Sequence, residues 1–243
     1  MKKLCIVAAV WKRPHIFELF ADGIDILKDH FKGRLDISVS IVGSEGVKSK
    51  SMVESRGFSY CECPNNPLGF KMNRASLGSI QYDPDFVMWL GSDDVVTPEL
   101  MEHYIVAMDE GIDYTFLMDY YFFDTITKQA FYWGGYNHER VGGNSCGAGR
   151  MISKRVLGLT KYKLWYNDRM HRILDTSMDV LLNKIPMTRK ELWLKELDCF
   201  SVDIKCSKNM TQFYMWDNTH KVDGKEMLFN NLPTYFADKI YNT

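Results

Sequence analysis

Two consecutive aspartates behind a short apolar run are the residues of this chain most obviously placed for chemistry. Phe86 to Leu90 reads as a buried strand and stops abruptly in Gly91, Ser92, Asp93 and Asp94. Open α/β sheets bind their ligands at the carboxyl ends of strands. A hard divalent cation, Mg²⁺ or Mn²⁺, takes one or two protein carboxylates there and completes its shell with water and diphosphate oxygens. Adjacent acids also serve as turn formers and as charges at helix N-termini, so the tetrad alone leaves both readings open.

Other chemistries fail on their own spacing. Gly142 and Gly147 are spaced as in a P-loop, but Ala148 stands where the phosphate-binding lysine is needed. The same loop lacks GxGxxG and follows no first strand, which removes a dinucleotide fingerprint. His138 and Glu139 begin an HExxH string that Gly142 breaks, and there is no GxSxG elbow. The six cysteines (Cys5, Cys61, Cys63, Cys146, Cys199, Cys206) form no CxxC pair and have no histidines at zinc spacing, so reduced thiols are expected. The sequon at Asn209 is then idle. Met1 to Val10 is too short and too poorly terminated for a secretory signal, and no segment reaches the length of a membrane span. A cytoplasmic protein is the expectation.

Thirty Lys and Arg against 31 Asp and Glu give a net charge of −1 in 243 residues, which removes the global positive field of a nucleic-acid binder. The local distribution is uneven. No Lys or Arg falls between Ala75 and Thr127, where eleven acids lie, whereas seven basic residues crowd Arg150 to Arg172 with only Asp168 opposing them. The first run suits a cation and the second a phosphate, and each reads equally well as a solvated face.

The elements that must position these residues follow from periodicity. Leu4–Val10, Asp36–Val42, Phe58–Cys63 and Phe86–Leu90 read as strands. His15–Phe31, a charged stretch near Val47–Arg56, and a segment from about Gly69 read as helices between them. Strand, acidic turn and helix follow in succession at Gly91–Pro98, with Thr97 as N-cap and Pro98 at the first helical position. Tyr114–Phe123 resumes strand character, broken by Asp119, and Phe131–Trp133 pairs with it as a hairpin. The glycine-rich loop Gly142–Gly149 then leads into a more helical C-terminal part. This is an α/β chain around a mostly parallel sheet flanked by helices. It is expected to form a single domain over 1–243, with 1–128 as one half and 129–243 as the other.

The order of these pieces resembles the GT-A glycosyltransferases, particularly their large inverting family. The resemblance rests on Ile6–Val10 with Trp11–Pro14, the strand Ser38–Gly43, LGFKMNRA at Leu68–Ala75, FVMWLGSDDVVTPEL at Phe86–Leu100, and CGAGRMISKRVL at Cys146–Leu157. It covers roughly the first two thirds of the chain. It implies a GT-A fold with a nucleotide-sugar-binding first half and an acceptor-side second half. Carried over by position, Arg13 and Glu45 are nucleotide candidates, and Lys71 and Asn73 lie near the nucleotide sugar. Asp94 is the metal ligand with Asp93 beside it, and Arg150 assists the diphosphate through a bidentate contact. LDTSMD at Leu174–Asp179 sits where the family carries its base, which makes Asp175 the first choice and Asp179 the second.

Two departures are visible. Gly91 and Ser92 replace acids of the usual DxD-like turn, and Ser44 and Glu45 stand where an aspartate is more usual. The implied reaction is an inverting, Mn²⁺- or Mg²⁺-dependent transfer of a hexosyl or pentosyl group from a nucleotide sugar to an acceptor hydroxyl. The acceptor is a glycan or, given the basic run near Tyr120–Phe123, Tyr132, Trp133, Tyr136, Trp165 and Tyr166, a hydroxymethylated DNA base of the kind phage enzymes glycosylate. Two or three of those aromatics are expected to contact it. The competing class is a non-catalytic nucleic-acid-binding or assembly module that keeps the fold. A nucleotidyltransferase lacks its glycine-rich basic N-terminal signature here.

Overall fold

The computed structural model describes residues 1–136, 144–165, 174–208 and 218–243. Its first strand, β1 (Lys2–Ala9), is almost wholly apolar and sits inside the sheet, buried from Leu4 to Ala8. Helix α1 (Pro14–His30) starts with proline, whose missing N–H costs nothing at that position. It buries Ile16, Phe17, Leu19, Phe20, Ile24 and Leu27 along one stripe. Then follow β2 (Leu35–Gly43), α2 (Val47–Glu54), β3 (Ser59–Glu62), α3 (Leu68–Gly78) and, after a 3-10 turn, β4 (Phe86–Trp89). These strands pair in parallel in the order β4-β1-β2-β3. The expected βα units are present with boundaries within a few residues.

The chain then leaves this sheet at the acidic turn. Asp94–Val96 forms a short strand, β5, ahead of α4 (Pro98–Asp109), whose Thr97 cap accepts from the Leu100 N–H at 3.5 Å. This corrects the direct passage from turn to helix, because the extended residues are claimed by an antiparallel partner far along the chain. The run from Tyr114 is likewise two strands, β6 (Tyr114–Leu117) and β7 (Tyr120–Asp124), in different sheets. Asp119 makes the break. Its fully buried carboxylate accepts from the Leu194 and Lys195 N–H groups and from the Tyr132 hydroxyl.

The remaining elements are β8 (Ala130–Trp133), β9 (Arg150–Ser153), α5 (Lys154–Leu159), α6 (Leu174–Leu182), β10 (Arg189–Leu192), α7 (Leu194–Leu197), β11 (Ser201–Lys205), β12 (Thr219–Val222), α8 (Gly224–Asn231) and α9 (Thr234–Tyr241). The C-terminal portion thus supplies strands as well as helices. Strands β9 and β10 complete the first sheet in the order β10-β6-β9-β4-β1-β2-β3, with β9 antiparallel to both neighbours. The second sheet runs β12-β8-β7-β11-β5 and includes the expected β7–β8 hairpin. Helix α1 packs between a large core under the first sheet and a smaller one of Val95, Phe123, Val202, Ile204, Leu228 and Phe236. No helix among the described residues is long and apolar enough to cross a membrane.

The two charge runs meet in space. Lys154 pairs with Asp83, Arg155 with Asp113, Lys190 with Glu110 and Arg34 with Glu102. The acidic run is therefore partly spent on cations brought to it by the fold. Asp113 is the most committed of these acids. Its carboxylate accepts from Ser153 Oγ at 2.8 Å, Arg155 Nε at 3.0 Å and the Thr188 N–H at 3.2 Å, joining β6, the start of α5 and the approach to β10. The Arg155 guanidinium is the main reason its pKa falls from 3.8 to about 2.

A carboxylate ionised more readily when folded stabilises the protein above its ordinary pKa and loses that contribution as pH falls through the lowered value. Replacing Asp113 by Asn should cost on the order of 1–2 kcal/mol at pH 7, after allowance for the exposed Arg155 partner. The cost should shrink between pH 4 and pH 2. Urea denaturation across that range checks it, and a pH-independent deficit would contradict it.

Candidate active site

The carboxyl ends of β1 and β4, adjacent parallel strands, open on one side of the first sheet. Arg13 leaves the end of β1 as the residue before α1, and the Gly91–Asp94 turn leaves β4. The Arg13 guanidinium pairs with Asp93 Oδ2 and reaches Ser92 Oγ at 3.3 Å. Asp94 folds back so that its Oδ2 accepts from the Gly91 N–H. A Cβ on Gly91 would come within 2.5 Å of Asp93 Oδ1 and 3.0 Å of Asp94 Oδ2, so a side chain there would displace these carboxylates from their present positions.

A third carboxylate arrives from elsewhere. Strand β11 pairs antiparallel with β5, setting Asp203 opposite Asp94, and the Ile204 N–H donates to the Asp93 carbonyl at 2.8 Å. Oxygens of Asp93, Asp94 and Asp203 lie within 4.8 Å of one another. Burial pushes the Asp94 carboxyl well above its usual range, and the charges of Asp203 and Asp93 push it further. Asp203 is raised for the same reasons against the opposition of Lys205, whose ammonium pairs with Asp203 Oδ2. Asp203 Oδ1 is buried and has no hydrogen-bond partner among the described residues. Three converging carboxylates and one unmatched buried oxygen fit a hard divalent cation taking oxygen ligands.

Sequence reasoning missed Asp203. The alternation Ser201, Val202, Asp203, Ile204, Lys205 is a strand signal, but only the register with β5 shows which turn it faces.

A second cluster lies close by, since β9 begins at Arg150 directly opposite Trp89 of β4. Arg150 is 1% exposed. Its Nε donates to the Cys146 carbonyl at 2.8 Å and its Nη2 to the Ser145 carbonyl at 3.0 Å. Nη2 also reaches Asp179 Oδ2 at 3.2 Å, and Nη1 reaches the main-chain carbonyl of Asp175 at 3.3 Å. Asp179 is buried, and its carboxylate also accepts from Tyr114 Oη and Ser145 Oγ at 3.1 Å. Asp175 is 39% exposed in its side chain, and its carboxylate accepts from Tyr136 Oη at 3.4 Å. A Cβ on Gly147 would stand 2.8 Å from Asp175 Oδ1, so the glycine makes room for that oxygen. Burial pushes the Cys146 thiol well up, with the charge of Asp119 adding and that of Arg150 opposing.

The other expected residues brace this region. Glu45 Oε2 accepts from the Lys12 N–H at 2.7 Å and from Ser49 Oγ, tying the loop after β1 to that after β2. Lys71 is 1% exposed and donates to the Val10 carbonyl at 2.9 Å, Asn65 Oδ1 at 3.0 Å and Ser44 Oγ. Burial lowers its pKa from 10.5 to about 8. Asn73 accepts from the Leu164 and Trp165 N–H groups and donates to the Trp165 carbonyl at 2.8 Å. Arg150 points at Asp175 and Asp179, with its guanidinium enclosed by protein. Lys154 and Arg155 of the basic run are paired at the surface. Arg169, Arg172, Asp168, Tyr166, His138, Glu139, Gly142 and the Asn209 sequon lie outside the described residues. Of the aromatics, Tyr120, Phe122, Phe123, Trp133 and Trp165 are core, whereas Tyr121, Tyr132 and Tyr136 keep some exposure.

No protein-family model matches the sequence, and no curated protein matches it. Solved structures are similar in fold. TarS residues 1–349 from S. aureus, in complex with UDP, align over 99% of this chain and 70% of theirs with a TM-score of 0.56 at 12% identity. The same TarS segment with UDP-GlcNAc aligns over the same 99% and 70% with a TM-score of 0.52 at 12% identity. The 4-diphosphocytidyl-2C-methyl-D-erythritol synthase of Anaerococcus prevotii aligns over 79% of this chain and 87% of its own with a TM-score of 0.52 at 9% identity. The chain has the GT-A-like fold of nucleotide-sugar transferases.

Metal binding to the native state must raise its apparent stability. Mn²⁺ should therefore raise the Tm of the wild type, and Asp203→Asn should weaken the Mn²⁺ dependence at least tenfold in concentration. An unchanged titration would remove Asp203 from the donor set.

Proposed function

We propose that the protein is a metal-dependent glycosyltransferase that moves a sugar from a nucleotide-sugar donor to an acceptor hydroxyl with inversion. One observation carries this reading. Three clustered carboxylates able to hold a cation and a separate, half-exposed Asp175 gather about the carboxyl end of β4. The two jobs of glycosyl transfer, stabilising a departing diphosphate and taking a proton from the attacking hydroxyl, need different carboxylates in different settings.

Asp93, Asp94 and Asp203 would hold Mn²⁺ or Mg²⁺, which neutralises charge on the diphosphate when bound. Arg13 stands beside them and carries positive charge toward the same leaving group. Glu45 and Lys71 hold the loops at the ends of β1 and β2, where the nucleoside would lie, and Asn73 fixes the Leu164–Trp165 segment near the sugar. Asp175 accepts the acceptor's proton on a carboxylate oxygen as that hydroxyl attacks the anomeric carbon opposite the departing oxygen. Inversion follows from a single in-line displacement. Asp175 is preferred over Asp179 as the base because the Asp179 carboxylate is buried and engaged by Tyr114, Ser145 and Arg150.

UDP-sugars are the first donors to test, since TarS structures of similar fold hold UDP and UDP-GlcNAc. The acceptor class we favour is a saccharide. A hydroxymethylated DNA base ranks second, because Lys154 and Arg155 of the basic run are paired with acids and Arg150 is turned inward. Nucleotidyl transfer, which the likeness to the erythritol synthase keeps in view, is distinguished by its product. It releases pyrophosphate, whereas glycosyl transfer releases the nucleoside diphosphate.

The test is a thermal-shift panel of nucleoside diphosphates and nucleotide sugars with and without Mn²⁺, followed by turnover of the donor that binds. A Mn²⁺-dependent shift for one nucleotide, lost in Asp94→Asn, is expected. Asp175→Asn should keep that donor shift and lower transfer about 10²- to 10⁴-fold, the usual contribution of a positioned base. Absence of any shift across the panel, with salt-sensitive DNA affinity instead, would move the chain to the non-catalytic binding class.

A further inference from the structure

We infer that Arg150 is a positioning residue for the proton-transfer step: it holds Asp175 by its main chain and takes Asp179 as counter-ion, leaving the Asp175 carboxylate available to an acceptor hydroxyl. The inference rests on the reading of Asp175 as the base.

The donors of the guanidinium are the starting point. Arginine has five N–H groups in a rigid planar fork. In this protein they face the carbonyls of Cys146, Ser145 and Asp175, the Asp179 carboxylate at 3.2 Å and, as an ion pair at 3.9 Å, Asp175 Oδ1. At 1% exposure the fork has no open side for a diphosphate. An arginine buried to this degree is costly unless paired and fully hydrogen-bonded, and Asp179 supplies the pairing. Asp179 is itself satisfied by Tyr114 and Ser145, so the pair is closed on all sides.

The treatment of Asp175 differs. Arg150 grips its carbonyl at 3.3 Å, in the first turn of α6, while the shortest hydrogen bond described to its carboxylate is the 3.4 Å contact from Tyr136. A carboxylate gripped directly by a guanidinium has its lone pairs occupied and is a poor proton acceptor. One held by its backbone is fixed in place and keeps them. Gly147 supplies the space, since any side chain there would meet Asp175 Oδ1 at 2.8 Å. Arg150 is anchored on β9 opposite Trp89, so the same residue fixes the distance between the base and the strand that leads to the acidic turn.

The experiment uses Arg150→Met, Arg150→Lys and Asp175→Asn, singly and as the double Arg150→Lys/Asp175→Asn. Donor affinity is read by thermal shift with Mn²⁺ and UDP-sugar, turnover by kcat and KM, and folding by Tm and near-UV circular dichroism. Arg150→Met should lower kcat about 10²-fold with donor affinity unchanged. Should it fail to fold, Arg150→Lys serves alone, because a lysine keeps the charge without the fork. It should lower kcat about tenfold, and that tenfold should vanish in the Asp175→Asn background, where no base remains to be positioned. A general structural defect would lower both backgrounds equally.

Loss of donor affinity with kcat unchanged at saturation would overturn the inference and make Arg150 a diphosphate contact. Wild-type kcat in Arg150→Lys, or an equal loss in both backgrounds, would also overturn it. Full turnover in Asp175→Asn sinks the base assignment itself. Lost turnover in Asp175→Asn with full turnover in the Arg150 variants sinks only the positioning role.

Discussion

Three carboxylates whose oxygens lie within 4.8 Å of one another, largely out of water, repel, and much of this fold can be understood as the means of holding them there. Two like charges 4 Å apart cost about 4 kcal/mol at an effective dielectric of about 20. The repulsion is met by position and by cations. Asp94 is pinned by the β5–β11 ladder and by the Gly91 N–H, Asp93 is paired with Arg13, and Asp203 with Lys205. Arg13 sits at the mouth of α1, and Lys205 lies over the Phe122 ring at 5.3 Å within the second sheet. Each cation therefore belongs to a different part of the core, and the cluster joins the two sheets.

That junction explains why the chain changes sheets where it does. The first crossing, from β4 to β5, is the acidic turn itself. A later one, from β6 to β7, is made at Asp119, whose buried carboxylate takes two N–H groups at the start of α7 and a tyrosine hydroxyl. At Asp119 those bonds are fully used, so the residue is structural. Facing the acidic turn, one buried oxygen of Asp203 on β11 has no hydrogen-bond partner among the described residues, and that surplus is what makes the cluster a candidate for a cation.

How much of this was legible in the sequence follows from the range of each interaction. The units from β1 to β4, the Thr97 cap and the β7–β8 hairpin are set by patterns within about fifteen residues, and periodicity reads them well. Strand β5 is three residues long and exists because β11, more than a hundred residues later, pairs with it, so the passage at Asp94 looked like turn then helix. Asp203 was invisible for the same reason. The charge runs misled in another way. Lys154 and Arg155 looked like a phosphate site until the fold brought Asp83 and Asp113 to them. Lys71, Asn73 and Arg150 were picked out on resemblance, and the structure shows polar ends enclosed by protein. Residue type and spacing located the region, but which atoms face a ligand depended on contacts from elsewhere in the chain, 61 positions away for Lys71 with Val10, 92 for Asn73 with Trp165 and 29 for Arg150 with Asp179.

Asp175 and Asp179 show how far such contacts decide chemistry. They are one helical turn apart on α6 and chemically identical, and the sequence ordered them only by position in a motif. Arg150 and Ser145, held by the loop that ends at β9, separate them. Asp179 meets a guanidinium nitrogen, a serine hydroxyl and a tyrosine hydroxyl, and so becomes a fixed counter-ion. Asp175, at the first turn, meets Arg150 through its carbonyl and keeps a carboxylate exposed to 39%. A single buried arginine can do this only because its donors point in several directions at once; a lysine at the same place would keep a charge for Asp179 but lacks the planar fork that also reaches the Asp175 carbonyl. The pair behaves as one device in which the buried acid makes the arginine's burial tolerable and the arginine makes the exposed acid precise. On the proposed reading, the buried Asp179 serves the reaction indirectly, by balancing the charge of the arginine that positions Asp175.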